Sequence, residues 1–446
     1  MNSSHMSRYR TFSRGGIHPS DAKRAASKTA IKTCLPPEVA IVPFLQHIGT
    51  QAKPTVRQNE RVKEGQLIGE PSSLISAAVH SPITGFISEF RSILLPTGVK
   101  TDAAVIEIDA ESSRPLEHER NHDWRSLEVE EILEILKQKG VVGQGGATFP
   151  SHVKFSIPRG YSCEVFLVNA CECEPYLSAD HCLILESTEQ IIEGIRMIRK
   201  LLSPRRVIIG IEVNKQDAIE VLSAAGASHG IEVVPLKAKY PQGAEKNLIE
   251  AVLGQEVPSG KLPLEVGVIN SNVGTLFSVY EALERDKPVI ERVLTVSGGA
   301  IASPANVRVR VGSPVSSLIE ECGGLCEKPV KFVMGGPMMG FAFSSLDTPV
   351  VKGTSGILAL TKDEVNTAAT TPCISCGCCI EVCPMGLSPT TIFKEVEHER
   401  FDRATRHGLE DCVLCGACSY VCPAHIPLVS AFKAGRGRKR RLTARR

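Results

Sequence analysis

The spacing of apolar residues predicts alternating helices and strands in the middle of the chain. Apolar residues recur with helical spacing from Leu127 to Lys139 and over residues 188–202. Short apolar runs predict three strands, at residues 164–168, 206–213 and 231–236. Because strands that alternate with helices usually form a parallel sheet, we expect residues 115–285 to fold as a Rossmann-like α/β domain.

The segments before this domain predict a small β domain that follows an N-terminal extension, residues 1–37. Residues 38–110 alternate short apolar runs with turns and resemble a biotinyl/lipoyl-type barrel, or barrel-sandwich hybrid. A carrier domain of that type needs a lysine at a hairpin tip, and none lies between Lys63 and Lys100. We therefore expect a structural module and not a swinging arm.

Glycine-rich and polar segments interrupt the predicted α/β domain. Gly143-Gln-Gly-Gly146 follows a helix, and Asn169-Ala-Cys-Glu-Cys-Glu174 follows a strand. Closely spaced glycines let backbone N–H groups approach a phosphate, but they also suit a tight turn, and no Walker A sequence follows them. Ligands bind at the carboxyl ends of parallel strands, so the polar strand end predicts a ligand site. The role of the glycines stays open at this point.

The C-terminal part contains a duplicated cysteine motif. The first copy is Cys373-x2-Cys376-x2-Cys379-x3-Cys383-Pro384, and the same spacing starts again at Cys412. It is the spacing of bacterial ferredoxin-type [4Fe–4S] sites, in which the fourth cysteine of each copy ligates the other cluster. The predicted ligand sets are Cys373, Cys376, Cys379 and Cys422 for one cluster, and Cys412, Cys415, Cys418 and Cys383 for the other.

Zinc is the alternative occupant of these cysteines. Zinc ribbons use paired C-x2-C knuckles with four ligands in all, which fits eight cysteines at duplicated spacing poorly. Two adjacent iron–sulfur clusters would carry single electrons in series, so the iron–sulfur interpretation implies an electron source and an electron acceptor. We expect Cys378, Cys171 and Cys173 to be free thiols, because they belong to no ligand pattern.

Composition excludes several classes of function. The chain has 446 residues, of which 42% are hydrophobic and 22% charged, as is typical of globular proteins. No run of 18 apolar residues and no signal peptide is present, so we expect neither a membrane span nor export. The 16 cysteines would then remain reduced and available to bind metal.

A basic tail, residues 433–446, ends the chain. Its last part, 436–446, contains seven basic and no acidic residues, whereas the net charge of the whole chain is only +2. We considered a disordered solvated end, a patch that contacts anionic lipid or a membrane partner, and nucleic-acid binding. Nucleic acid is disfavoured because no aromatic residues alternate with the basic ones and no recognised motif is present.

Four segments resemble the RnfC family of the Rnf electron transport complex and, more loosely, the flavin-bearing NADH-binding subunit of respiratory complex I. They are GQGGATFPSHVK, VNACECEPYLSAD, KYPQGAEK and INSNVGTL, in that order. The resemblance extends over nearly the whole chain and implies a multidomain α/β and α+β fold. Besides the barrel-sandwich domain, it implies an FMN- and NADH-binding α/β domain, a β-grasp (SLBB) module at 286–345 and a bacterial ferredoxin-like domain at 365–432.

The same resemblance implies roles for individual residues. Glu172 and Glu174 would act at the flavin and NADH during catalysis. The implied cofactor-binding residues are Gly143, Gly145, Gly146, Lys154, Asn169, Glu172, Gly243, Glu245, Asn272 and Thr275. FMN would divide the electron pair of a hydride into the single electrons that clusters accept. Thr148, Cys171 and Ala244 depart from the complex I pattern, which has a glycine and two acids there.

The resemblance finally implies a peripheral electron-input subunit of a membrane-bound, ion-translocating ferredoxin:NAD+ oxidoreductase. Such a subunit would lie on the cytoplasmic face of the inner membrane, held by the other Rnf subunits, and would reach ferredoxin only indirectly. Membrane contact would come through partners or the basic tail. One alternative is a soluble enzyme like cobalamin reductase, which resembles the chain only from the glycine-rich loop onward. A non-catalytic electron wire with an empty flavin site is the other.

Overall fold

The computed structural model describes residues 9–27, 29–109 and 123–444. After a short strand β1 (Lys32–Thr33), two antiparallel sheets form the predicted barrel-sandwich domain, and their apolar residues, such as Val42, Ile68 and Ile106, share one core. The strands are β2 (Val39–Pro43), β3 (Lys53–Pro54), β4 (Arg61–Val62), β5 (Leu67–Glu70), β6 (Val79–His80), β7 (Gly85–Leu94) and β8 (Lys100–Ile108). The sheet orders are β2-β8-β7-β4 and β3-β5-β6.

The second unit is the predicted α/β domain with a parallel sheet. Its strands are β9 (Val165–Asn169), β10 (Arg206–Glu212), β11 (Ile231–Leu236) and β12 (Val268–Asn272), in the order β11-β10-β9-β12. Its helices are α1 (Val129–Gln138), α2 (Ser151–Phe155), α3 (Ala179–Glu186), α4 (Thr188–Leu202), α5 (Gln216–Ala227), α6 (Glu245–Leu253) and α7 (Val273–Glu284). The helix predicted at 188–202 and the strand predicted at 231–236 have those bounds.

Helix α4 shows why these helices form where they do. Ile191, Ile195 and Ile198 recur at helical spacing and are buried in the main core of the domain. Gly194 lies on the same face, where an added Cβ would come within 2.1 Å of the carbonyl oxygen of Leu276 in α7. Helices α4 and α7, packed closely together, cover one face of the sheet. The carboxyl edge of the sheet is left to the loops that follow the strands.

The third unit is a mixed sheet of six strands with one helix. Its remaining elements are β13 (Glu291–Ser297), β14 (Ala305–Arg310), α8 (Val315–Glu321), β15 (Lys331–Met334), β16 (Phe341–Phe343) and β17 (Gly356–Leu360). Its order is β1-β14-β13-β17-β15-β16, so β1 extends it from the N-terminal side. The sheet also runs past the predicted end at residue 345, because β17 pairs with both β13 and β15 in its middle.

The fourth unit contains the cysteine motifs. Its helices are α9 (Cys378–Glu381), α10 (Pro389–Glu397), α11 (Phe401–Arg406), α12 (Ala417–Tyr420) and α13 (Leu428–Ala444). No helix among the described residues of the whole chain is long and apolar enough to cross a membrane.

The basic tail is not a separate disordered end, as the first of its three interpretations had it, because α13 continues through it to Ala444. The guanidinium group of Arg436 donates to the carbonyl oxygens of Leu409 and Cys412. Lys439 and Arg438 form ion pairs with Glu410 and Glu399. These contacts hold α13 against the rest of the cysteine domain. They also pair basic groups that a contact with anionic lipid would require.

Candidate flavin and iron–sulfur site

The strand ends that the sequence singled out lie side by side. Asn169 and Asn272 are register partners at the carboxyl ends of the parallel strands β9 and β12. The side-chain amide of Asn169 donates to the carbonyl of Gly243 at 2.9 Å, and Asn272 caps α7 by accepting from the N–H of Gly274 at 2.9 Å. Three of the four motif segments therefore meet at one edge of the sheet.

The glycine-rich loop lies over the same edge. An added Cβ on Gly145 would stand 3.1 Å from the Cβ of Asn272, whereas one on Gly146, at φ +119°, would meet nothing within 4 Å. The loop is anchored from below, since the N–H of Gln144 donates to the Thr275 hydroxyl at 2.9 Å. Thr275 thus holds the loop, and the exposed side of the glycines faces open space.

Thr148, the first departure from the complex I pattern, has a left-handed backbone with φ +48°. Only glycine adopts that conformation without cost, which explains a glycine at this position in related proteins. The threonine side chain lies close to Gly353, where an added Cβ would come within 2.1 Å of its Cγ2. Gly353 in the third unit therefore leaves space for the threonine side chain that stands where the complex I pattern has a glycine.

Lys154 occupies the floor of the site. Its ammonium group donates to Glu245 Oε2 at 3.0 Å and to Asn270 Oδ1 at 2.8 Å. Glu245 is the first residue of α6, so the predicted basic and acidic members of the pocket form an ion pair. A bound phosphate would have to share this ammonium group with the carboxylate.

The two predicted catalytic acids have separate environments. The carboxylate of Glu172 accepts from the N–H groups of Asp180 and His181, at 2.7 and 3.3 Å, and so caps α3. The Asp180 carboxylate in turn accepts from the side-chain amide of Asn272 at 2.6 Å. Burial, and secondarily the charge of Glu172, raises the pKa of Asp180 to about 6. Glu172 therefore contacts the helix cap, and Asp180 is the acid next to the pocket floor.

The Glu174 carboxylate contacts the turn between β15 and β16 in the third unit. It accepts hydrogen bonds from the N–H groups of Met338 and Met339, at 3.0 and 2.9 Å, and its carboxylate lies 3.3 Å from the Tyr240 hydroxyl. Burial raises the pKa of Glu174 to about 7. The structure thus brings Asn169, Gly243, Asn272 and the glycine-rich loop to one sheet edge, while Glu174 connects that edge to the turn between β15 and β16.

Sequence reasoning missed several residues of this site. Tyr240 and Asp180 lie inside the quoted motifs, so a position-by-position reading of those motifs would have found them. Gln144 stands between the motif glycines and accepts from the guanidinium group of Arg292. Arg292 belongs to β13 in the third unit, is completely buried, and had no sequence signal, because it reaches the loop only through the packing of two domains.

The duplicated cysteine motif has a duplicated backbone. Gly377 and Gly416, which follow the second cysteine of each copy, have φ of +82° and +84° and precede α9 and α12. Ser375 and Leu414, two residues earlier, have φ of +58° and +56°, and each N–H donates to the first cysteine sulfur of its copy at 3.4 Å. Such N–H···S bonds are one means by which proteins tune cluster potentials.

One predicted ligand set surrounds a cavity. Cys383, Cys412, Cys415 and Cys418 line one small pocket together with apolar residues such as Phe432. We call these four cysteines the inner set. Cys383 comes from the first copy of the motif and the other three from the second, and these are the four cysteines that the crossed pattern assigns to one cluster.

The remaining predicted ligands lie nearer the surface, and we call them the outer set. Cys379 lies close enough to Cys422 and Cys376 to interact with them electrostatically. Cys373 and Cys376 are exposed, and Ile374 between them is 68% exposed. Three of the four inner cysteines are thus buried, whereas the outer set contains two exposed cysteines, Cys373 and Cys376, beside the buried Cys379.

Three cysteines outside both predicted ligand sets lie beside the two sites. Cys171 is completely buried, and burial raises the pKa of its thiol well above the usual value. The Cys173 sulfur accepts from the N–H of Gly243 at 3.4 Å. Cys378 lies in the first cysteine loop next to Cys376 and outside both predicted ligand sets. These three thiols are structural neighbours of the sites.

Comparison with known families assigns the same four units. The Nuo51 FMN-binding domain matches residues 136–281, the RnfC barrel sandwich hybrid domain residues 11–111, the SLBB domain residues 293–342 and the 4Fe-4S dicluster domain residues 371–426. These matches confirm the predicted fold class, with FMN, NADH and [4Fe–4S] clusters as cofactors, and set zinc aside. The matched barrel also separates the chain from the soluble reductases considered above.

The relatives extend over most of the chain. The C subunit of the proton-translocating ferredoxin:NAD(+) oxidoreductase complex from Clostridium ljungdahlii is 43% identical over 85% of this chain and 83% of its own length. The Na(+)-translocating counterpart from Acetobacterium woodii is 39% identical over 97% of both chains. The C subunit of the ion-translocating oxidoreductase complex from Rhodobacter capsulatus is 40% identical over 95% of this chain and 82% of its own length. The chain therefore belongs to the RnfC family of ion-translocating ferredoxin:NAD+ oxidoreductase (Rnf) complexes.

Proposed function

We propose that this chain is the peripheral subunit through which an ion-translocating ferredoxin:NAD+ oxidoreductase complex exchanges electrons with NAD(H). The observation that carries the proposal is the order of the sites. The flavin loops contact the inner cysteine set through Tyr240, which bonds to Cys415, and Cys373 and Cys376 of the outer set are exposed at the surface. A two-electron site, an inner cluster and an exposed cluster in this order support one-electron transfer to a partner.

The residues at the sheet edge fit FMN. Gly145 and Gly146 carry no side chain into the open space over the loop, which leaves room for a close phosphate or ring. Lys154 supplies a positive charge at the floor, and Asn169 and Asn272 supply amide groups. FMN bound there would convert between the hydride chemistry of NADH and one-electron transfer. The chain's own residues would bind and orient FMN. They would also exclude water on the side of the pocket where Glu174 lies.

The two cysteine sets divide the task of electron transfer. The inner set lies in an apolar enclosure, which keeps solvent from the cluster that stands next to the flavin domain. The outer set ends at a surface with exposed apolar side chains, Ile374, Ile380 and Tyr420, which are 68%, 45% and 58% exposed. This surface, which we call the exit face, suits a partner protein that brings its own redox centre close to the outer cluster.

The names of the relatives support the proposed partners, and the proposal also includes a location. The relatives are subunits of complexes whose names give ferredoxin and NAD+ as reactants. This chain would therefore contact other Rnf subunits directly and ferredoxin only through them, on the cytoplasmic face of the inner membrane. Contact with lipid through the basic tail would be limited, because Arg436, Arg438 and Lys439 are engaged within the protein.

An anaerobic spectroscopic experiment tests this function. The purified, reconstituted chain is mixed with NADH, and the flavin absorbance and the EPR spectrum are recorded. We expect the flavin band to bleach and signals of two reduced [4Fe–4S] clusters to appear. A chain that retains no flavin after reconstitution, or whose clusters stay oxidised while the flavin is reduced, would contradict the proposed order. NADPH at the same concentration is the control for the nucleotide.

A further inference from the structure

Tyr240 joins the flavin domain to the inner cysteine set. Its side chain is only 2% exposed and packs with Ile17, Cys415 and Ala417 in a small apolar cluster between the two domains. Its hydroxyl donates to the carbonyl oxygen of Cys415 at 2.6 Å. Cys415 is a predicted cluster ligand, so the phenol touches the backbone of a ligand residue from the flavin side.

The other neighbour of this hydroxyl is Glu174. The carboxylate lies 3.3 Å away, which is longer than the bond to Cys415. A phenol has one proton, and the shorter distance identifies the Cys415 carbonyl as its acceptor. The carboxylate is held by the N–H groups of Met338 and Met339, so it limits how far the phenol can turn.

The cysteine loop is pressed against the same turn from the other side. An added Cβ on Gly416, at φ +84°, would lie 2.9 Å from the carbonyl oxygen of Met338. The loop that supplies Cys412, Cys415 and Cys418 is therefore confined between Tyr240 and the turn between β15 and β16. Three segments from three domains meet at this point, and the Tyr240 hydroxyl bonds directly to the ligand loop from the flavin domain.

A donor on a ligand residue affects a cluster in two ways. It fixes the ligand loop in place, and it points the positive end of the phenol O–H dipole at the backbone of the ligand residue, which favours the reduced, more negative cluster. Hydrogen bonding near the ligands and burial are the recognised means of setting cluster potentials. The equivalent position in the first copy is Cys376, which is exposed, so the two clusters differ in this respect.

We propose that Tyr240 is a positioning residue for electron transfer into the inner cluster: its hydroxyl holds the ligand loop at the flavin domain and raises the reduction potential of that cluster. This inference rests on the proposed function, because it assumes that the inner set binds a cluster that exchanges electrons with the flavin. It adds a residue that acts through Cys415 and needs no contact with substrate.

The test is a Tyr240→Phe variant of the full chain, reconstituted with FMN and iron–sulfur clusters. EPR-monitored redox titration measures the potential of each cluster separately. We expect the potential of one cluster to become more negative while that of the other stays at the wild-type value. Electron transfer from reduced flavin to the inner cluster should slow several-fold in single-turnover mixing with NADH. Tyr161→Phe is the matched control, because Tyr161 is 46% exposed and its hydroxyl bonds to Glu265 at the surface.

A second replacement tests the inference if the Tyr240→Phe protein binds its clusters poorly. Incorporation of 3-fluorotyrosine at position 240 retains the hydroxyl and strengthens it as a donor, so the inner-cluster potential should shift in the opposite direction. Unchanged potentials in both variants, with normal iron and flavin contents, would overturn the inference and leave the proposed function intact. Failure of the wild-type chain to bind clusters would instead count against the proposed function.

Discussion

The ammonium group of Lys352 lies 2.8 Å from the carbonyl oxygen of Gly140 and donates a hydrogen bond to it. A second bond, at 2.7 Å, reaches the carbonyl of Ala78 in the barrel-sandwich domain. Lys352 itself precedes β17 of the third unit, and Gly140 precedes the glycine-rich loop. One completely buried side chain therefore joins three domains at the base of the flavin site, and burial lowers its pKa to about 7.

A Lys352→Met variant should change how stability depends on pH. Between pH 7 and 10.5 the unfolded chain holds a proton on Lys352 that the folded chain has lost, so the wild-type free energy of unfolding rises with pH in this window. Between pH 6.5 and pH 9 the rise should amount to roughly 2–3 kcal/mol and be absent from the variant. Anaerobic thermal unfolding at pH 6.5 and pH 9 measures the difference between the two proteins.

Lys53→Met is the control for this experiment, because its side chain is 72% exposed and its removal leaves no buried group. Its stability should follow the wild-type pH profile. A Lys352→Met protein whose unfolding temperature changes with pH in parallel with the wild type would show that Lys352 stays protonated in the folded chain.

Gly145→Val should prevent FMN binding and leave the clusters in place. The new Cβ would stand 3.1 Å from the Cβ of Asn272, closer than an ordinary contact, so the added side chain would force Asn272 and the glycine-rich loop apart. FMN affinity should fall by at least about tenfold, which corresponds to 1.4 kcal/mol. Flavin fluorescence after denaturation and iron analysis measure both contents. Gly437→Val is the control, since a Cβ there meets nothing within 4 Å, and loss of iron with the flavin in Gly145→Val would indicate a folding defect.

The sequence contained the local information for this site but not the contacts between domains. Asn169, Asn272 and the glycines could be predicted, because strand ends and turns are set by nearby residues. Arg292 and Lys352 could not, since each reaches the flavin loop from another domain and nothing in its neighbouring sequence shows that packing. Glu172 was expected at the flavin, but its carboxylate caps α3, a role that depends on where the chain turns.

The same distinction applies to the fold. Helix α4 and strand β11 have the predicted bounds because their apolar spacing is regular. Strand β17 was not included in the predicted module, because its place in the middle of the sheet comes from pairing with β13 and β15 and not from its own sequence. Helix α13 could not be distinguished from a disordered end in the sequence, because the partners of its charges, such as Glu410 and the carbonyl oxygens of Cys412 and Met339, lie in other segments of the chain.

The crossed ligand pattern predicts which cysteine substitutions share a phenotype. Cys383→Ala and Cys412→Ala remove ligands from the same cavity, so each should abolish the same EPR signal and about half of the iron. Cys379→Ala should abolish the other signal. Cys378→Ala is the matched control, because this residue lies in the first cysteine loop outside both ligand sets, and it should retain both signals. A Cys383→Ala protein that loses the signal that Cys379→Ala loses would show that each copy ligates its own cluster.

The exit face makes a prediction about the assembled complex. Tyr420 is 58% exposed and stands two residues before Cys422 of the outer set. Tyr420→Lys places a charge on this apolar surface, where a docked partner would have to desolvate it, so electron transfer from the outer cluster to the rest of the complex should slow by about tenfold. Reduction of the chain's own flavin and clusters by NADH should stay normal, because Tyr420 lies beyond them.

Leu35→Lys is the control, since Leu35 is 77% exposed and belongs to the N-terminal segment next to β1. The rate is measured in membranes that contain the full complex, with ferredoxin and NAD+ as reactants and NADH-driven cluster reduction in the isolated chain as reference. If Tyr420→Lys transfers electrons at the wild-type rate in the complex, the partner docks elsewhere and the electrons leave through a different side of the outer cluster.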